Sequence, residues 1–222
     1  MKPLNRDGNY LLLGGGGQAR VLLDTLKAAN QLHRVVGLLD PQAKNLDSAG
    51  YLVPVLGDEE GLVSRFPAET TTLINGLGSI GRGGGRRTLY ENYQREGYGF
   101  ATILHPRAVI GGEVRLGEGC QVMAGAILQT GCQLGENSLI NTGAMVDHDG
   151  RIGPHVHIAP GAVLSGGVTV GAGSHIGCGA TVIQGITIGA GVTVGAGAVV
   201  VDDLPAGVTA VGVPAAVITV KS

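Results

Sequence analysis

From Leu104 to Val200 every sixth residue is aliphatic: Leu104, Ile110, Leu116, Val122, Leu128 and onward to Val194 and Val200, without a gap or an insertion. An α-helix repeats its apolar positions every three to four residues and a half-buried strand every two. A strict period of six fits neither. It fits a parallel β-helix with short flat faces, each contributing one inward aliphatic, one corner and one turn. The corner position, four residues after the aliphatic one, is small or β-branched through most of the run, as in Cys120, Ala126, Cys132, Ser138, Ala144, Val156 and Ala162. Gly117, Gly135, Gly153, Gly171 and Gly189 add a second period of eighteen, three hexapeptides. Three faces per coil make a triangular prism of between five and six coils. Glycine directly after the aliphatic is expected there because it accepts backbone conformations that other residues resist. Asn141, Asp147, Ala159 and Ser165 replace it in the middle coils, and an interruption of a regular scaffold is expected to mark a site.

Composition agrees with a prism filled by small aliphatics. Hydrophobic residues are 44% of the 222, charged residues 14% and aromatics 3%, with no Trp, so an intrinsically disordered chain is excluded. Glycine, at 41 residues, is far above the usual share of about 7%, but it follows no G-x-y period and the chain is not collagen-like. A net charge of −2 argues against a nucleic-acid or anionic-membrane surface. No apolar stretch reaches the roughly 18 residues of a membrane helix. The run before the first glycines is too short for a secretory signal. The three cysteines, Cys120, Cys132 and Cys178, are odd in number and lack C-x-x-C spacing, so buried free thiols in a reducing, cytoplasmic setting are expected.

Residues 1–103 follow a different plan. The apolar run Asn9 to Leu13 leads into Gly14 to Ala19, and a helical pattern follows from Arg20 to Ala29, with Val21, Leu22, Thr25 and Leu26 on one face. Further strands are expected at Arg34 to Asp40 and Thr71 to Asn75, and a helix from about Arg86 to Glu96. The alternation predicts a small α/β three-layer unit with a parallel sheet, and Gly81 to Gly85 is expected to be a mobile loop. The first turn reads G-x-G-x-x-A through Gly14, Gly16 and Ala19, a spacing that lets backbone amides at a helix N-terminus approach a phosphate. It also fits a tight strand-to-helix turn with no ligand. Asp40, at the end of the second strand, is placed to accept a ribose or base hydrogen bond. The unit is too small for a complete dinucleotide domain, so a single nucleotide or a nucleotide-sugar is expected.

Four of the six histidines, His148, His155, His157 and His175, fall in the central coils. His148 lies between Asp147 and Asp149, carboxylates that favour the imidazolium, raise its pKa and orient the ring for proton abstraction. It is the candidate catalytic base. His157 and His175 are eighteen apart and should stack on adjacent coils, where His157 is a candidate ligand contact or part of a solvated ladder. No role is assigned to His155 or His175, and His33 and His105 are expected to be structural. The spacing does not reproduce the histidine set of hexapeptide-repeat carbonic anhydrases, so no metal is expected.

These residues carry a family likeness over nearly the whole chain. The glycine turn, Leu39 and Asp40, the phrase Ile103 to Ala108, Asn141-Thr142-Gly143-Ala144, Asp147-His148-Asp149, the hexapeptides and the tail Val211 to Ala215 resemble the nucleotide-sugar acetyltransferases of the bacillosamine/perosamine N-acetyltransferase and sialic-acid O-acetyltransferase family. The resemblance implies a Rossmann-like nucleotide-sugar-binding domain (1–103) and a left-handed parallel β-helix that binds acetyl-CoA and ends in a C-terminal tail (104–222). It implies a homotrimer with acetyl-CoA, the co-substrate, between adjacent prisms. His148 would be the general base and Asp149 the carboxylate that raises its basicity. His157, Cys178 and Ala196 would contact acetyl-CoA, and Gly16, Gly17, Gln18, Asp40, Gly78 and Asn141 the nucleotide-sugar. Gln18 stands where that family usually has histidine, and Pro41 after Asp40 leaves its expected acid pair incomplete.

The expected reaction is N-acetylation of a nucleotide-linked 4-amino-4,6-dideoxy sugar, UDP- or GDP-linked, for surface glycan biosynthesis, with a backbone amide stabilising the oxyanion. An O-acetyltransferase of the sialic-acid type would use the same histidine. A catalytically silent nucleotide-sugar-binding module is the third reading, though it would not need two carboxylates beside His148.

Overall fold

The computed structural model describes residues 9–42, 46–48, 51–57, 65–78 and 84–219. The chain divides into two compact units, Met1–Ile103 and Leu104–Ser222.

In the first unit, the apolar run forms β1 (Asn9–Leu13) and the glycine turn opens α1 (Gly17–Ala28). Then come β2 (Val35–Leu39), a short antiparallel hairpin of β3 (Leu46–Ser48) and β4 (Tyr51–Val53), β5 (Thr71–Asn75), α2 (Gly85–Arg95) and β6 (Gly99–Phe100). The main sheet is parallel, with order β2-β1-β5-β6. α1 carries the chain from β1 to one edge and α2 carries it from β5 to the other. Right-handed crossovers therefore put the helices on opposite faces, giving three layers. Two expectations need correcting. α1 begins at Gly17 rather than Arg20, and Val21 is 41% exposed. The buried face runs through Ala19, Leu22, Leu23 and Leu26, the i, i+3, i+4, i+7 pattern of a packed helix, and Val21 lies off that stripe. The predicted mobile loop begins outside the described residues. Gly84 is the N-cap of α2 and Gly85 its first residue.

All seven Phe and Tyr residues precede residue 104. Tyr90, Tyr93, Tyr98 and Phe100 pack with Leu11, Leu13, Leu39 and Leu73 in the first unit's core, with Tyr90 and Phe100 ring centroids 4.5 Å apart. The second unit is built without a single Phe, Tyr or Trp.

That unit is the prism. Its strands are two residues long, and each pairs in parallel with the strand eighteen residues on. Gln121 faces Leu139, Ile127 faces Met145 and Gln133 faces Arg151. The first face holds Gln121–Val122, Leu139–Ile140, His157–Ile158, His175–Ile176 and Thr193–Val194. It is closed by Thr209–Val211 and an antiparallel edge strand, Ala216–Ile218. The second face includes Ile127–Leu128, Met145–Val146 and Val163–Leu164, and the third Gln133–Leu134, Arg151–Ile152 and Thr169–Val170. The last coil is shorter: Thr193 pairs with Thr209. The aliphatics from Val122 onward fill the interior with the small corner residues. Leu104 and Ile110, at the open first coil, are 38% exposed. Corner thiols and hydroxyls donate to carbonyls of the next coil, Ser138 Oγ to Gly153 O at 2.9 Å and Cys132 Sγ to Asp147 O at 3.1 Å. Cys120 and Cys132 are buried as expected, but Cys178 is exposed because it stands on a turn rather than a corner.

The expectation for the glycines is corrected as well. Those directly after the inward aliphatic do not have left-handed backbones. A Cβ on Gly117, Gly153 or Gly171 would instead run into the backbone of the next coil, at Glu136, Ala172 and Ala190 respectively. They are glycine because adjacent coils approach too closely for a side chain. The left-handed residues form a separate column three positions after the aliphatic, from Gly119 through Gly143 to Gly197, where φ > 0 favours glycine. Among the described residues no helix is long and apolar enough to cross a membrane.

Gly171→Ala should therefore destabilise the prism by about 1–3 kcal/mol, the usual cost of an overpacked contact. An earlier midpoint in urea or thermal denaturation would reveal it.

Candidate active site

In the first unit, β1 and β5 are neighbours from which the chain runs outward in opposite directions, so their carboxyl ends flank the topological switch point of the sheet. Gly14 to Gly17 follow β1 and Gly76 to Gly78 follow β5. A Cβ at Gly76 would meet the carbonyl oxygens of Leu13 and Gly14, and one at Gly14 would meet Leu77, so the two turns pack backbone to backbone. Gly16 and Gly17 face open space. Gly16 is the N-cap of α1 and supplies no side-chain cap, which leaves the helix N-terminus available to an anion. Gln18 is in the first turn of α1, and its Cβ would lie 3.9 Å from a Cβ at Gly78. Asp40 closes this mouth. Its Oδ2 accepts from Gly15 N–H at 2.6 Å and its Oδ1 from Gln42 N–H at 2.7 Å. Asp40 thus fixes the glycine turn. The structure brings Gly16, Gly17, Gln18, Asp40 and Gly78 together at the carboxyl ends of β1, β2 and β5.

In the prism, His148 sits on the turn between the second and third faces. Asp147 Oδ1 accepts from the His148 backbone N–H at 2.7 Å, and Asp149 Oδ2 lies 2.9 Å from Nδ1. A carboxylate can only accept, so the imidazole proton is on Nδ1 and Nε2 carries the lone pair of a base. The Asp149 hydrogen bond, with the nearby charge of Asp147, raises the His148 pKa above its ordinary 6.5. Both side chains are exposed. Asp149 occupies the glycine column, with φ 60°. A left-handed backbone at a residue other than glycine is a cost that persists where its side chain is needed, and here the side chain holds the His148 ring. His155, Asn137 and Glu113 also occupy that column. His155 Nδ1 is 3.0 Å from Asn137 Nδ2, a contact between coils on the turn from the third face to the first.

The second cluster lies on the first face and on the turn leading to the second. Thr142 N–H donates to Asn141 Oδ1 at 2.8 Å, which fixes the amide orientation and leaves Nδ2 to donate to His157 Nε2 at 3.1 Å. His157 is therefore neutral in this arrangement, protonated on Nδ1. Its ring meets the His175 ring edge-on at 4.8 Å between centroids, as their eighteen-residue spacing predicts. Burial lowers the His175 pKa. Cys178 and Ala196, both exposed, stack on that same turn column, and Gly197 N–H donates to Cys178 O at 2.8 Å. Asn141, expected with the nucleotide-sugar, thus shares a corner with the residues expected at acetyl-CoA. No cluster of three or more His, Cys, Asp or Glu able to hold a metal occurs among the described residues.

A residue that sequence reasoning missed is Gly166, one coil beyond His148. Its Cβ would overlap the imidazole, and the spacing of eighteen was the available signal.

Comparison with known proteins identifies the fold and the family. The family model "Bacterial transferase hexapeptide (six repeats)" matches residues 149–184, and the prism is the left-handed parallel β-helix expected of such repeats. The GDP-perosamine N-acetyl transferase from Caulobacter crescentus, solved as a histidine-to-alanine variant with CoA and GDP-perosamine, is 39% identical. That alignment covers 96% of this chain and 97% of that chain, with a TM-score of 0.85. The acetyltransferase domain of PglB from Neisseria gonorrhoeae, in complex with acetyl coenzyme A, is 34% identical over 96% of this chain and 100% of that one, at 0.86. WeeI from Acinetobacter baumannii is 27% identical over 95% and 99%, at 0.81. No curated protein sequence matches the chain. A hexapeptide prism with this similarity defines an acyltransferase. The chain belongs to the bacillosamine/perosamine N-acetyltransferase and sialic-acid O-acetyltransferase family of hexapeptide-repeat enzymes.

Replacing Asp149 by glycine removes the acceptor of Nδ1 together with a backbone cost of about 1 kcal/mol. The His148 pKa, followed by NMR titration, should fall toward its ordinary value, while the denaturation midpoint of Asp149→Gly stays level or rises.

Proposed function

We propose that the protein transfers an acetyl group from acetyl-CoA to the amine of a nucleotide-linked 4-amino-4,6-dideoxy sugar, in the cytoplasm, for surface glycan biosynthesis. The observation that carries this reading is the His148–Asp149 pair, an exposed imidazole whose Nδ1 is held by a carboxylate and whose Nε2 keeps the lone pair of a base, in a chain that also has a glycine turn at a sheet switch point. Relatives that align over nearly the whole chain were solved with CoA and GDP-perosamine or with acetyl coenzyme A, which supports this donor and this class of acceptor. Cys120 and Cys132 are buried thiols outside any disulfide, which suits a reducing compartment.

The acceptor amine attacks the thioester carbonyl carbon, forming the C–N bond. Nε2 of His148 takes the proton released from nitrogen. The tetrahedral intermediate collapses with cleavage of the C–S bond, and the imidazolium returns the proton to the departing thiolate, giving the amide and CoA thiol. Asp149 keeps Nδ1–H aligned throughout and stabilises the imidazolium.

The working unit is a homotrimer in this reading. The turn with Cys178 and Ala196 and the turn with His148 bound opposite edges of the second face, so one copy presents the two sets on different corners. The outward row of the face between them is apolar, with Val109 56% and Met145 38% exposed and Ile127 and Val163 partly so. The corresponding row of the third face is Arg115, Gln133, Arg151 and Thr169. An apolar row of this kind favours closed self-association, and a neighbouring copy brings its own corner to the His148 turn.

The test is CoA-thiol release against UDP-, GDP- and dTDP-linked amino sugars, with hydroxyl acceptors in parallel. His148→Ala should lose about 10²–10⁴-fold in kcat and keep its oligomeric mass. Turnover on hydroxyl acceptors alone would redirect the reading to O-acetylation, and binding without turnover would make the chain a silent module. In wild type, kcat/KM should fall as pH drops through the raised His148 pKa, because protonation removes the base. Asp149→Asn lowers that pKa and should move this acid limb to lower pH while reducing the plateau.

A further inference from the structure

We propose that Gly166 is a positioning residue for the transfer reaction, the bare seat on which the His148 imidazole rests and which sets where Nε2 points. The proposal rests on the reading of His148 as the base. Gly166 occupies the turn one coil beyond His148, and Gly167 N–H donates to His148 O at 2.8 Å, so the two turns are locked together. A Cβ on Gly166 would overlap Nε2 and stand 2.6 Å from Cε1 and 3.0 Å from Cδ2. All three nearest atoms belong to the imidazole; none is backbone. Gly166 is buried even though the turn is an outer corner and Gly167 beside it is exposed.

The prism itself does not demand glycine here. The φ of Gly166 lies outside the left-handed region, so alanine is conformationally allowed. The close coil-to-coil approach that forces Gly153 and Gly171 is against backbone, which is not the case at 166. The same turn position carries Thr130 one coil before His148 and Gln184 one coil after Gly166, so side chains are accepted in this column. Gly131 gives comparable room to Asp149, whose Oδ1 would be 2.7 Å from its Cβ, but Gly131 has φ +76° and serves the backbone as well. Only at 166 does the ring alone account for the glycine. With a methyl group there, the imidazole must rotate off its seat and Nδ1 leaves Asp149.

The experiment is Gly166→Ala, alone and combined with His148→Ala, assayed by CoA-thiol release with acetyl-CoA and the amino-sugar substrate, together with thermal unfolding and a pH–rate profile. A misplaced catalytic group costs about 10²-fold in rate, and that loss is expected in kcat for Gly166→Ala. The acid limb should move to lower pH as His148 loses Asp149, and the unfolding midpoint should not fall by more than the ring's displacement requires. In the double variant the obstructing ring is gone, so the midpoint should match that of His148→Ala and activity should fall no further than in His148→Ala. A wild-type rate in Gly166→Ala with an inactive His148→Ala overturns this proposal and leaves the base reading standing. An equal further loss in the His148→Ala background also overturns it, since Gly166 would then act by another route. Full activity in His148→Ala overturns the base reading and this proposal with it.

Discussion

The stacking of one coil on the next at an interval of eighteen residues holds up everything else in the second unit. A two-residue strand has no stability of its own. Each is held by parallel hydrogen bonds to the coils on either side and by one aliphatic side chain pointing inward. Stability in such a solenoid is a sum over neighbouring repeats, so the spacing between coils must be kept everywhere. The glycines at 117, 135, 153, 171 and 189 maintain it along one edge, because a side chain at any of them would wedge two coils apart. The interior can then be closed with Val, Ile, Leu, Ala and Cys, and no aromatic ring is needed.

That regularity makes the departures informative. A rigid scaffold places side chains on its turns with little freedom, which is what a catalytic pair needs. Asp149 stands where the fold favours glycine, His148 leans onto the next coil, and Asp147 fixes the peptide entering the turn. The pair therefore draws on three consecutive coils, from Gly131 below to Gly166 above. The glycine turns of the first unit are built by the same logic with different parts. There, glycines at 14 and 76 let two turns meet, and Asp40 spends its carboxylate on holding one of them.

Much of this was legible in the sequence because period and position carry it. The hexapeptide run determines the faces, the interval of eighteen stacks His157 on His175, and the acid-His-acid phrase marks the basic turn. What was not legible shares a cause: one letter stands for several physical roles. Glycine at 171 avoids a clash, glycine at 143 adopts a left-handed backbone and glycine at 166 yields to a ring, yet all three read alike until the coordinates separate them. The contact of Asp40 with the Gly15 amide was not legible because the two residues are twenty-five apart. The hydrogen bond between Asn141 and His157 was not legible because it joins residues sixteen apart on adjacent coils. Val21 is hydrophobic, but it lies off the helical stripe of Ala19, Leu22, Leu23 and Leu26, so position overrides residue type.

Length in this prism is quantised. Adding one residue within a strand would turn the aliphatic of that face out of the interior, whereas adding eighteen keeps all columns and lengthens the prism by a single strand spacing of about 4.8 Å. Such a chain can gain or lose reach only in whole coils. The distance from the His148 turn to anything gripped farther along the same edge is thus graduated like a ruler, and a longer or shorter cargo is accommodated by changing the number of divisions rather than by stretching any one of them.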